Sequence, residues 1–149
     1  MTRLASFLAL SAGDRRLLVE AVATVVAVRV GLRLFSIDRL RAWASRCGSG
    51  TKAIERIAWS VRVASRVLPG TTCLSSAFAL QRLLSAHGHS SELHIGVARN
   101  AEDFEAHAWL TCEGRILVGE EEREGYAGLV AWTSVEPSGQ SAAGKRNAS

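Results

Sequence analysis

Cys73 and His107 are the residues on which a reaction can be built. Cys73 opens the run Thr72-Cys73-Leu74-Ser75-Ser76-Ala77-Phe78, and Leu74, Phe78 and Leu84 recur after it at helical intervals. The thiol therefore stands at a helix start. The positive end of a helix dipole favours thiolate, and the free N–H groups of a first turn can hold an oxyanion. His107 lies in Phe104-Glu105-Ala106-His107-Ala108-Trp109-Leu110, which reads as a strand. Alternation groups His107 with Glu105 and Trp109, opposite Ala106, Ala108 and Leu110. On a strand face packed against the Cys73 helix the imidazole reaches the sulfur, and Trp109 restricts water. Each residue taken singly has an ordinary structural reading: a buried thiol and a structural or surface histidine.

A Cys–His pair ordinarily has a third group that fixes the imidazole tautomer. Asp103, Glu105 and Glu120, the first of the run Glu120-Glu121-Glu122, are the acids within reach in sequence. Such a run is commonly a solvated face, and the spacing leaves the choice open. Other chemistries find no support. Cys47, Cys73 and Cys112 contain no CxxC pair, and His87, His89 and His94 lack a metal-binding spacing, so no metal site is expected. His87 reads as a residue beside the negative end of a helix. Phosphate-binding loops, GxGxxG, HExxH and GxSxG are all missing from the sequence.

The positioning elements follow from periodicity. Asp14 is a candidate N-cap for a long helix over about residues 14–35, with Leu17, Ala21, Val25, Val28 and Leu32 on one face. A second helix follows Ser36 or Asp38 and runs towards Cys47. Gly48-Ser49-Gly50 is a break, and Thr51 opens a third helix that Pro69-Gly70 ends. The Cys73 helix closes at Gly88. The period then switches to two: strands over 92–99 and 104–112, a hairpin turn at Glu113-Gly114, a strand over 115–118, and a fourth over 129–135. Four helices followed by an antiparallel sheet define an α+β fold. The division expected is a helical region over 1–68, a catalytic core over 69–135, and a disordered tail over 136–149.

The chain has 149 residues, 48% of them apolar and 21% charged, which excludes global disorder and supplies one domain's core. Residues 1–72 carry a net charge of +8 and residues 73–149 of −4. The arginines of the first half read mainly as the solvated face of amphipathic helices. A nucleic-acid partner is not expected; a peripheral contact with a membrane face stays open. The most apolar stretch, 17–35, is interrupted by Glu20, Arg29 and Arg33 and reads as a buried helix, not a span. Three cysteines and no visible signal peptide point to a reducing cytoplasm.

The Cys73-Leu74-Ser75-Ser76-Ala77-Phe78-Ala79-Leu80 helix start, Leu93-His94-Ile95-Gly96-Val97, Glu105-Ala106-His107-Ala108-Trp109 and Glu113-Gly114-Arg115 together resemble the transglutaminase-like cysteine proteases of lasso-peptide biosynthesis, the stand-alone leader peptidases of split systems. The resemblance is specific over about residues 70–120. It implies a transglutaminase/papain-like core with Cys73 as nucleophile, His107 as general base and an acid from the next strand orienting His107. In that family an Asp often follows the His by about a dozen residues; here that place is Gly119, and Glu120 is the nearest acid. The resemblance further implies a precursor-peptide substrate cut between leader and core. It also implies a small leader-binding protein (a RiPP recognition element) in trans, an ATP-dependent cyclase that closes the macrolactam, and no cofactor. Two readings compete with it: acyl transfer to an amine on the same Cys–His pair, and a non-catalytic peptide-binding scaffold.

Overall fold

A computed structural model describes residues 3–99, 104–118 and 127–133. Five helices precede the sheet: α1 (Arg3–Leu8), α2 (Ala12–Leu34), α3 (Ile37–Ala44), α4 (Ile54–Val67) and α5 (Cys73–Ala86). The strands are β1 (Glu92–Arg99), β2 (Phe104–Cys112), β3 (Arg115–Val118) and β4 (Ala127–Thr133). The α+β expectation holds, with the short α1 added ahead of the four helices read from periodicity.

Local chemistry sets the helix ends. Ser11, not Asp14, caps α2: its Oγ accepts from the Asp14 N–H at 3.1 Å and donates to Asp14 Oδ2 at 2.8 Å. Asp14 thus belongs to the first turn, where it also pairs with Arg56 of α4. Hydrogen bonding to Ser11 and the Arg56 guanidinium hold its carboxyl below the ordinary range. The α4 helix starts at Ile54 instead of Thr51, behind Ala53, which makes no side-chain cap. Residues 48–52 are used elsewhere, as a strap across the end of α5. Gly48 N–H donates to Ser85 O and Gly50 N–H to Ala86 O, both at 3.0 Å. These bonds satisfy carbonyls that a helix C-terminus leaves without partners.

The sheet order is β3-β2-β1-β4, and every pairing is antiparallel. Leu93 pairs with Leu110 and Ile95 with Ala108. These residues and Cys112 form the stripe that meets the helices. They join Leu17, Val25, Ile57, Val61, Phe78 and Leu84 in one buried cluster. The expected boundary at 68/69 therefore runs through one continuous core. α5 lies at its centre, packed on α2, α3, α4 and the sheet. The expected tail, 136–149, lies outside the described residues.

Candidate active site

The first turn of α5 is fixed by a reciprocal cap. Ser75 N–H donates to Thr72 Oγ1 at 3.2 Å, and Thr72 N–H donates to Ser75 Oγ at 3.0 Å. Ser76 Oγ lies 2.9 Å from Ser65 Oγ, tying the turn to α4. The cap consumes the Ser75 N–H. Among the described residues, the N–H groups of Cys73 and Leu74 have no acceptor. The anion-binding capacity of this helix start is thereby narrowed to two adjacent donors. Cys73 itself is half-buried against the core. The turn reaches it through Gly70, whose φ of 74° lies in the left-handed region.

The other two thiols are differently placed. Cys112 is buried, and its Sγ donates to Ser90 O at 3.1 Å. Burial, helped by the neighbouring Glu113, pushes the Cys112 thiol up and keeps it protonated. Cys47 is exposed. Of the three, only Cys73 stands at a helix N-terminus.

His107 is 4% exposed and lies on β2, opposite Gly96 of β1. Its position along the layer follows from Cys112. Cys112 touches Ser90, just beyond the C-terminal end of α5. From there α5 runs back about 20 Å to Cys73, and β2 runs back about 17 Å to His107. The chain lengths from that contact back to Cys73 and to His107 are therefore similar. Their faces differ from the sequence expectation. The stripe under the helices is Ala108, Leu110 and Cys112. By alternation, His107, Trp109 and Thr111 stand on the other side of the sheet. A β-bulge in the β1–β4 pairing falls between Ile95 and Gly96, next to His107's cross-strand partner. Bulges increase local twist and re-aim side chains.

The face that carries His107 holds a feature the sequence reading missed. His94 stacks on Trp109 at 5.4 Å between centroids with planes 5° apart, and Trp109 lies 6.4 Å from the His107 ring. His94 Nε2 is 3.0 Å from Thr111 Oγ1 and 3.7 Å from Glu92 Oε2. Hairpin register alone places His94 opposite Trp109; that register was the available signal. Trp109 is 7% exposed and braces His107 from one side.

Of the candidate orienting acids, Glu105 pairs with Ala98 in the ladder. Asp103 and Glu120 lie outside the described residues. Val118, two residues before Glu120, pairs with Leu110. His87 is the C-cap of α5, as its place at the helix end implied. Its Nδ1 accepts from the Lys52 N–H at 3.3 Å, and burial lowers its pKa. No cluster of three or more metal-binding side chains occurs among the described residues.

The chain belongs to the transglutaminase-like superfamily, whose family model matches residues 17–131. The match begins within α2, so most of α2 and all of α3 and α4 belong to the family's domain along with α5 and the sheet. Proteins of this superfamily are generally cysteine peptidases or acyl transferases, and both chemistries run through a thioester. No curated protein and no solved structure matches the chain. No described helix is long and apolar enough to cross a membrane.

Proposed function

We propose that this protein is a cysteine endopeptidase that removes the leader from a lasso-peptide precursor, freeing the core's N-terminal amine for a partner cyclase. The observation that carries the reading is the capped start of α5, with Cys73 at its first position and two unspent N–H donors beside it. The resemblance of Glu105-Ala106-His107-Ala108-Trp109 and its neighbours to the leader peptidases supplies the substrate class.

In this reading the Cys73 thiolate attacks the scissile carbonyl. The Cys73 and Leu74 N–H groups stabilise the oxyanion. His107, having taken the thiol proton, gives it to the leaving amine. A thioester to the leader remains. Water attacks it as His107 removes a proton, and Cys73 leaves as thiolate. Glu120 orients His107, and a leader-binding protein presents the substrate in trans.

Mass spectrometry of a precursor peptide incubated with the full chain and its leader-binding protein tests this. The expected result is two fragments whose masses sum to the precursor plus one water, lost in Cys73→Ala. A product joined to an added amine assigns the acyltransferase reading instead. An intact precursor with folded protein and competent partner refutes both and leaves a scaffold.

A further inference from the structure

The α2 helix is apolar on two opposite sides. Leu17, Ala21, Val25 and Val28 are buried against the core. Val19, Ala23, Val26, Val30 and Leu34 recur at helical spacing on the far side. The four large ones are 58%, 44%, 48% and 69% exposed. A surface helix ordinarily turns charge outward here. Phe35 and Ile37 continue the exposed apolar surface into α3. A groove of about 900 Å³ opens beside it, with Phe7, Val22, Trp59 and Val63 in its walls. The eight large exposed apolar residues among those whose exposure is described lie in residues 8–67. A continuous patch of this kind marks an interaction surface.

Charge decides what covers it. Arg15 and Arg16 lie at one end of α2, and Arg29 and Arg33 at the other. Two copies packed along this stripe, in either direction, set arginines against arginines. Asp14 cannot relieve this, being held by Ser11 and Arg56, and the other acid of α2, Glu20, borders the strap beside His87. The occupant must bring negative charge. The excess of positive charge lies in the helices: residues 1–72 carry +8. A negative planar surface attracts this arginine-rich part of the molecule. The stripe follows a helix about 33 Å long, a shape suited to lying in an interface. Guanidinium groups at both ends are placed to pair with phosphates.

We propose that the outer face of α2 is a monotopic contact for an anionic lipid bilayer, with Val19, Val26, Val30 and Leu34 entering the headgroup–acyl boundary.

The test is sedimentation of the full chain with phosphatidylcholine vesicles, with and without phosphatidylglycerol. The protein is expected to sediment with the phosphatidylglycerol vesicles at least about tenfold more strongly than with phosphatidylcholine alone, and less at high salt. The double variant V26D/V30D and the single variant Arg33→Glu each reduce that binding severalfold with unchanged circular dichroism. Arg33 is exposed, so its variant decides the matter if the double variant does not fold. Equal or no sedimentation with either vesicle overturns the proposal, as does wild-type binding by both variants. A solution dimer that V26D/V30D splits, with vesicle binding unaltered, assigns the stripe to a protein contact and overturns it also.

Discussion

Gly96 stands directly opposite His107 across the β1–β2 ladder, so the imidazole has no cross-strand side chain beside it. Directly opposed Cβ atoms on one face lie about 4.5–5.5 Å apart. A branched side chain at 96 would stand directly against the ring's own position in the ladder. Gly96→Val is expected to lower the cleavage rate at least about tenfold through kcat. A KM effect alone, or no change, would show that residue 96 has no part in placing the ring. Gly96→Ala is expected to fall between the two.

The cap on α5 is expected to matter for both stability and rate. Thr72→Ala removes the acceptor for the Ser75 N–H and costs about 1 kcal/mol. For a chain of this size that is roughly 2–4 °C in melting temperature. Thr72→Ser keeps the oxygen and is expected to restore most of the loss by calorimetry.

Thiol labelling separates the three cysteines. Cys47 is exposed and is expected to react with iodoacetamide in the folded protein. Cys112, buried and bonded to Ser90 O, is expected to stay unlabelled until the chain unfolds. Labelling at Cys73 is expected to slow when precursor peptide is present. Peptide mapping after a timed pulse reads all three sites at once.

His87 links stability to pH. Burial, which outweighs the opposing pull of Glu20, holds its folded pKa below the ordinary value of 6.5, with His89 and Lys52 acting in the same direction. The unfolded chain therefore takes up the proton first as pH falls. The stability contributed by neutral His87 is complete above about pH 6.5 and is lost below it, until the lowered folded pKa is passed. Urea midpoints measured above and below that value are expected to fall with acidification. His87→Asn, which retains an acceptor for the Lys52 N–H, is expected to flatten the dependence.

The strap at 48–52 tolerates little bulk. A Cβ on Gly50 would overlap the His87 ring, and one on Gly48 the Ala86 backbone. Gly50→Ala is expected to destabilise by roughly 1–3 kcal/mol, as overpacking does. Equilibrium unfolding in urea measures it. A neutral result would mean that the ring swings aside at no cost.

The parts of this molecule that were legible in the sequence are those set by local periodicity. The start of α5 at Cys73, the 92–99 and 104–112 strands and the turn at Glu113-Gly114 could all be read, because spacing and turn residues act over a few positions. What escaped was decided by distant segments. Thr51 looks like a helix start, but the carbonyls of Ser85 and Ala86 recruit the preceding glycines and the helix begins at Ile54. His87 reads correctly as a helix-end residue, but the Lys52 N–H that donates to its ring comes from 35 residues away. The face of His107 depended on which stripe of β2 meets the helices, and alternation alone does not say which. The pairing of His94 with Trp109 needed a hairpin register.

The sheet order has one last consequence, for how the chain avoids its own copies. β4 returns from the far side of the sheet to pair along β1, covering a strand of eight residues that would otherwise be open on that flank. An open strand of that length, with Leu93 and Ile95 on one face, offers unpaired backbone groups to any other chain. A chain that stops before Ala127 therefore loses more than a strand. It becomes adhesive, and filaments or soluble aggregates built by β1-to-β1 pairing are what such a truncation should produce.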